Sequence, residues 1–328
     1  MTRYLVTGGA GFIGSHLVSK LLHLGYDVRV LDNLSTGARE NVPSDADFML
    51  GDICDAQAVR AATNGVDGCF HLAAIASVQA SNEDWWGTHQ TNLGGAINVF
   101  NGALRAKNGP LPIVYASSAA VYGDNQNVPL GECAHARPLT AYGADKLGCE
   151  LHAAAAATAH GFGSVGLRFF NVYGPRQNPH SPYSGVLSIF AERLLRGAGV
   201  TVFGDGQQTR DFVFVGDVCD ALSTSMQRCR DGAAAVYNVC TGKELSVLGL
   251  ANAIIRLTAS HGRIDHAAPR TGDIRRSVGD PSSLFHHLGV RPGTAMDEGL
   301  VETLEWMAIE HAENSEKPLR FARNHVAA

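Results

Sequence analysis

Short apolar runs alternate with helical patterns over the first 170 residues, and this alternation constrains the fold more than any other feature of the chain. The runs at 4–7, 28–32, 48–50, 69–73, 113–116 and 165–169 are brief and are bounded by Gly, Asp or Asn. Consecutive apolar residues of that length mark strands buried on both faces, as in a parallel sheet covered by helices. Between them, 12–24 sets Ile13, Leu17, Leu21 and Leu24 at helical spacing, and 141–159 is a long segment of high helix propensity. The pattern predicts an α/β chain with a doubly wound parallel sheet.

After about Tyr173 the texture changes to Gly, Pro and Asn-rich segments at 174–179 and 180–185. Strand-like pieces recur at 200–203, 211–215 and 236–239, so the sheet is expected to receive late strands from the second half. The division expected is a first domain over 1–173 with a return segment at about 211–240, and a smaller, interleaved C-terminal domain over 174–328. Residues 312–328 are expected to be a polar tail that frays. A chain of 328 residues with 45% hydrophobic and 17% charged residues has the apolar content for such folded domains.

Composition also excludes functions. The net charge of -5 is spread without long like-charge runs, which argues against a polyanion-binding role. No apolar stretch reaches the ~18 residues of a membrane span. Seven cysteines, an odd number without a CxxC pair, suit reduced thiols in a cytoplasmic protein. Neither HExxH nor a zinc spacing occurs, so no metal is expected, and GxSxG is absent too.

Thr7-Gly8-Gly9-Ala10-Gly11-Phe12-Ile13-Gly14 follows the first predicted strand and opens the first predicted helix. Glycines placed this way form a Rossmann-type dinucleotide turn: Gly8 allows the turn, Gly11 lets the backbone approach a pyrophosphate, and Gly14 permits close packing of helix on sheet. The helix N-terminus, with Phe12 and Ile13, turns N–H groups toward the phosphates. Asp32, followed by Asn33, ends the second strand 18 residues after Gly14, where a carboxylate accepts bonds from the adenosine ribose. The same charge repels a 2′-phosphate and favours NAD over NADP, although Arg39 in the next loop is placed to counter it.

Tyr142 and Lys146 stand four apart on a predicted helix and so share a face. Upstream, Ser117 and Ser118 leave a predicted strand at its carboxyl end, where doubly wound sheets bind ligands. A phenol with an ordinary pKa of about 10 is a poor base at neutral pH, but an adjacent ammonium and a positive nicotinamide favour the phenolate. Tyr142 is the expected acid–base group, Ser118 its partner at the reacting hydroxyl, and Lys146 also the residue that orients the nicotinamide ribose.

With these motifs the chain resembles the extended short-chain dehydrogenases/reductases, and within them the UDP-hexose 4-epimerases. The likeness extends over 51–53, 71–74, Asn92, 167–175, 204–212 and 270–275. It implies that Asp52 and Ile53 flank the adenine, that Leu72, Ala73 and Ala74 line the cofactor path, and that Asn92 and Ser117 lie near the cofactor. It also implies a UDP clamp of Asn171, Arg210 and Arg270, a uracil site at Gly185, Val186, Leu187 and Phe203, and Asp273 near the nucleoside. The implied reaction has Tyr142 take the O4 proton while the C4 hydride passes to NAD; the 4-keto sugar then turns over and both return on the opposite face.

Related dehydratases and decarboxylases carry acids where this chain has Ala119-Ala120, and glucuronate epimerases often differ at the positions of Asn171 and Asn178. Ser277, in the place of a bulky gate residue, implies room for a 2-N-acetyl group, hence UDP-GlcNAc and UDP-GalNAc beside UDP-Glc and UDP-Gal. UDP-glucuronate 4-epimerisation or another nucleotide-sugar reaction of the family is the alternative; a noncatalytic NAD-binding regulator is the alternative of another class. Helices over 92–106 and 141–159 resemble the pair that relatives pack as a four-helix bundle in a homodimer.

Overall fold

The structure is a computed structural model that describes residues 1–179, 185–229, 232–270 and 272–314. In the first half, strands β1 (Arg3–Thr7), β2 (Asp27–Asp32), β3 (Asp47–Leu50), β4 (Gly68–His71), β5 (Ile113–Ser118), β6 (Ser164–Phe169) and β7 (Asn171–Tyr173) are separated, except between β2 and β3 and between β6 and β7, by α-helices. These are α1 (Phe12–His23), α2 (Ala56–Thr63), α3 (Val78–Glu83), α4 (Trp85–His89), α5 (Gly95–Leu104) and α6 (Ala141–His160). The second half contributes β8 (Val200–Phe203), β9 (Thr209–Arg210), β10 (Phe212–Phe214), β11 (Ala234–Val239), β12 (Leu245–Ser246), β13 (Ile264–Ala267) and β14 (Arg276–Ser277). Its helices are α7 (Val186–Leu195), α8 (Val215–Cys229), α9 (Val247–Thr258), α10 (Ser282–Leu288) and α11 (Met296–Asn314).

Seven strands form one sheet in the order β11-β6-β5-β4-β1-β2-β3, and every adjacent pair is parallel. Side-chain alternation divides the core between its faces. Tyr4 and Val6 of β1 join a cluster with Leu17 and Leu21 of α1 and Val218 and Leu222 of α8. Leu5 joins a second cluster with Val59 of α2, Val99 and Phe100 of α5 and Ala153 of α6. The first cluster continues without a break into Leu187, Phe190 and Leu194 of α7, Leu250 and Ile254 of α9 and Leu300 and Leu304 of α11.

The sequence expectation for a doubly wound sheet therefore holds, with four differences. Of the late strand-like pieces, only β11 joins the main sheet; β10 pairs with β7 beside it, and its chain turns into α8 directly after Phe214. The run expected over 69–73 stops at His71, because Leu72 and Ala73 bend back over the glycine turn. The expected helix at 92 opens as a π-helical turn, Gln90–Gly94, and the first three residues of the expected tail, 312–314, belong to α11; the rest of that expectation, 315–328, lies outside the described residues, as do 180–184, 230–231 and Thr271.

α6 is the helix that matters most for the site. Thr140 caps it, its Oγ1 accepting from Gly143 N at 3.1 Å, and Gly161 ends it in the left-handed conformation. Its buried stripe holds Asp145, Lys146 and Glu150 among Ala141, Cys149 and Ala153. Charges so placed demand partners, because an unpaired buried charge is costly.

The turn between β1 and α1 is tightly determined. Gly8 has φ +71°, and a Cβ there would stand 2.7 Å from Ala73 N; a Cβ on Gly14 would stand 2.1 Å from Gly8 O. A Cβ on Gly11 would meet only Gly8 O, at 3.3 Å. Gly14→Ala should therefore destabilise the fold by about 1–3 kcal/mol or more through overpacking, whereas Gly11→Ala should leave the melting temperature of the cofactor-free protein within a degree or two. Thermal denaturation of both variants checks the contrast, and equal losses would contradict it.

Candidate active site

Because all seven strands of the sheet are parallel, their carboxyl ends share one edge, and the chain reverses its winding between β1 and β4. A crevice at such a reversal is where doubly wound sheets take ligands. The glycine turn lies in it. α1 has Gly11 at its N-cap with no side-chain cap and no acidic residue in its first turn, so the N–H groups of its first turn are left for an anionic ligand. Gly11, which the chain's own packing scarcely requires, is the position where a bare backbone serves a close-fitting group.

The residues expected around this crevice are largely occupied with one another. Asp32 accepts from Ala10 N at 2.9 Å and from Leu34 N at 2.8 Å, so its carboxylate ties the glycine turn to the loop after β2. Asn33 Nδ2 donates to Asp52 at 2.9 Å, and Asp52 also accepts from Cys54 N; Ile53 is buried against Gly95. Asn92 is buried, and its amide holds Ile75 in both directions, accepting from the N–H at 2.8 Å and donating to the carbonyl at 3.1 Å. Asn92 thereby sets the course of the segment after Leu72-Ala73-Ala74. His71 shares a hydrogen bond with Thr7 Oγ1, which also accepts from Ala73 N; burial, with the Lys146 ammonium nearby, pushes its pKa down to about 3 and leaves it neutral.

At the end of β5, Ser117 and Ser118 point to opposite sides, as strand neighbours do. Ser118 is half-buried, and its Oγ caps the 3₁₀ turn Ala119–Tyr122 by accepting from Ala120 N at 3.1 Å. Ser117 is buried and gives its hydroxyl to Glu150 at 2.5 Å, which leaves its main chain, not its side chain, for a ligand. Lys146 is buried and donates to Ala116 O at 3.0 Å, which fastens α6 to β5 beside both serines. Its Nζ is 5.7 Å from the ring centre of Tyr142, itself half-buried. The Tyr and Lys of the expected set thus adjoin, with Ser118 on the strand that Lys146 grips.

The second half gathers the expected cations. Arg210 Nη1 donates to Thr209 O and Ile274 O, and Nη2 pairs with Asp273 at 2.5 Å. The Arg270 guanidinium lies 3.9 Å from the ring centre of Phe203, and Gln208 bridges Phe203 O and Asp273. Ser277 of β14 is in register with Arg210 of β9. Asn171 is linked to this group through Asp211 O, which accepts its N–H at 2.9 Å. Gly185 forms the N-cap of α7 and Val186 is half-buried, but Leu187 turns its side chain into the core.

Sequence reasoning missed the polar groups that hold these pieces. Asp211 is buried and accepts from Thr241 N and Oγ1, Gly242 N and Gly279 N; burial raises its pKa, and those bonds oppose the rise without cancelling it. Glu150 and Arg168 form a buried ion pair. The spacing of Glu150, four after Lys146 on the same helix, was a visible signal; that of Asp211 was not.

The model of the NAD dependent epimerase/dehydratase family matches residues 4–240. A putative UDP-glucose 4-epimerase of Methanocaldococcus jannaschii is 37% identical over 92% of this chain and 97% of its own. The UDP-glucose 4-epimerase of Thermotoga maritima, solved with UDP-glucose, superposes with a TM-score of 0.89 at 35% identity, covering 94% of this chain and 99% of that one. The UDP-N-acetylglucosamine 4-epimerase of Methanobrevibacter ruminantium, solved with UDP-N-acetylmuramic acid, gives 0.88 at 33%, over 94% and 99%. Other reactions are represented too: a dTDP-glucose 4,6-dehydratase of Actinoplanes is 34% identical over 93% of this chain and 97% of its own. On its sequence, its sheet and the reach of these matches, the chain belongs to the NAD-dependent epimerase/dehydratase family.

Proposed function

We propose that this chain interconverts the C4 epimers of UDP-hexoses with NAD at the glycine turn, and that it accepts UDP-GlcNAc and UDP-GalNAc as well as UDP-Glc and UDP-Gal. The observation that carries the reading is the adjacency of Tyr142 and Lys146, gripped to the strand that ends in Ser118, with alanines at the next two positions. Elimination of water needs a further acid–base pair to move a second proton. Ala119 and Ala120 supply none.

NAD suits the cradle, since the uncapped α1 terminus and bare Gly11 offer room and donors for a diphosphate. Gly8, Phe12, Ile13 and Gly14 complete that turn; Asp32, Asn33, Asp52 and Ile53 receive the adenosine end, and Leu72, Ala73, Ala74, Asn92 and the Ser117 main chain border the rest. When bound, NAD supplies reversible acceptance of the sugar C4 hydride. Tyr142 Oη takes the proton of the O4 hydroxyl and later returns it, Ser118 Oγ holds that oxygen, and Lys146 places its charge beside the Tyr142 ring.

Arg210 and Arg270 grip the diphosphate with Asn171, and Phe203 with the Gly185-Val186-Leu187 segment receives the uracil beside Asp273. A guanidinium has five N–H donors. Arg210 spends three on Thr209, Ile274 and Asp273, which leaves two for a ligand without opening the ion pair. Ser277, in register with Arg210, is small enough to spare a 2-N-acetyl group, and the likeness to a UDP-N-acetylglucosamine 4-epimerase supports this breadth.

A homodimer completes the proposal. Ile97 on α5, Leu151 on α6 and Trp85 and Trp86 on α4 leave apolar side chains exposed, and a twofold mate packing α5 and α6 as a four-helix bundle would cover them. Light scattering should give twice the chain mass, and a monomer refutes it.

Two substitutions test the chemistry, each assayed with single UDP-sugars and product separation. Tyr142→Phe should lower kcat by about 10²–10⁴-fold while NAD remains bound; a noncatalytic regulator would instead show no turnover in the unaltered protein. Ser277→Tyr should abolish turnover of the N-acetyl pair and spare the plain hexoses, and equal loss of both pairs would sink the gate role.

A further inference from the structure

Beneath the crevice lies a buried polar network that the chemistry above does not use. Glu150 Oε1 accepts from Ser117 Oγ at 2.5 Å and from Arg168 Nε at 2.8 Å, and its Oε2 accepts from Arg168 Nη2 at 2.6 Å. Arg168 Nη1 donates to Tyr122 Oη at 2.8 Å and to Glu132 O at 3.0 Å, and Tyr122 Oη donates to Asn238 at 2.7 Å. Ser117, Glu150 and Arg168 are all buried. Burial works against the Arg168 charge, but the bonds and attraction of Glu150 outweigh it and hold its pKa above the ordinary value.

Glu150 stands four residues after Lys146 on α6, and both face the interior. Side chains at that spacing meet, and Lys and Glu there form an ion pair when nothing else claims them. Here Lys146 has one hydrogen bond, to Ala116 O, and no ion pair among the described residues, while both oxygens of Glu150 are turned to Arg168. A carboxylate on Lys146 would neutralise the one ammonium beside Tyr142.

We propose that Arg168 is a positioning residue that holds Glu150 off Lys146, so that the Lys146 charge is left to act on Tyr142. The inference rests on reading Tyr142 and Lys146 as the acid–base pair. The bidentate fork suits the task, because a planar guanidinium occupies both carboxylate oxygens at once. Among the described residues, none of the other groups around this part of α6 forms an ion pair with Lys146, although Asp145 keeps one buried oxygen without a hydrogen-bond partner in every variant compared below. His71 of β4 is neutral; Asp145 accepts from His89 of α4 at 2.7 Å; Glu83 of α3 is exposed and bonded to Gln79. Cys149 and Tyr115 have pKa values raised chiefly by burial and so stay uncharged, as does Tyr122; Glu132 accepts from Asn238 N.

The test is a pH titration of the NAD-bound enzyme that follows the ultraviolet phenolate signal lost in Tyr142→Phe, alongside kcat and KM. Arg168→Gln frees Glu150 and should raise the Tyr142 midpoint by about one unit or more, lowering kcat about tenfold below the midpoint with KM for the UDP-sugar changed less than about twofold. Removing the carboxylate as well, in Arg168→Gln/Glu150→Gln, should return the midpoint to its original value. Should the single variant not fold, Arg168→Met/Glu150→Leu replaces the pair by apolar side chains, which buried ion pairs often tolerate, and its midpoint should match the unaltered enzyme.

A loss of activity with no shift in the midpoint, a double variant that stays shifted, or an apolar pair whose midpoint rises would each overturn the inference. A phenolate signal that survives in Tyr142→Phe, with full activity, would instead overturn the reading of Tyr142 itself.

Discussion

Seven strands running the same way impose one constraint on everything else in this molecule. Both faces of the sheet must be covered, so the middle of most strands is apolar, and much of the polar chemistry lies at the edge where their carboxyl ends emerge. The reversal of winding between β1 and β4 opens that edge at one place, and the glycine turn, the end of β5 and the start of α6 all face it. What remains is to hold polar groups there without water, and the chain does so by giving nearly every buried one a partner.

Three buried carboxylates show how this is done. Asp32 joins the glycine turn to the loop after β2, Asp211 gathers the 241–242 loop and Gly279 around the junction of β9 and β10, and Glu150 joins α6 to β5 and β6. Each accepts from several donors, and for Asp32 and Asp211 most are backbone N–H groups that would otherwise be unpaired in loops. Asp145 is less complete: one of its oxygens meets His89, and the other, buried, has no hydrogen-bond partner.

Much of this was legible in the sequence, for reasons that differ by element. The strands and α1 could be read because buried parallel strands and amphipathic helices leave strong periodicities, and the glycine turn because φ +71° at Gly8 and the contact of Gly14 with Gly8 O admit almost nothing else. Tyr142 and Lys146 followed from helical spacing. What was not legible depended on pairing between distant segments. No local pattern says that β10 will join β7 rather than the main sheet, that Asn92 will hold Ile75 through both ends of its amide, or that Ser117 will turn to Glu150. Leu187 lies in a segment assigned to ligand binding, yet its side chain serves the core, a distinction that helix phase alone decides.

The apolar cluster shared by both halves bears on how the molecule is made. β11 completes the edge of the sheet beside β6, and Val218 and Leu222 of α8 cover the face that Tyr4 and Val6 present. During vectorial synthesis, then, α1, α2 and α5 can cover β1 in part early, but the cover that α8 gives it waits until residue 229 has been made and the strand beside β6 until residue 239, long after β1 to β6 have emerged. Until that point the nascent chain carries an open sheet edge and a partly uncovered apolar face, the two features that most invite association with other chains. The short, early strands that make the fold easy to read are thus the ones that wait longest for their full cover.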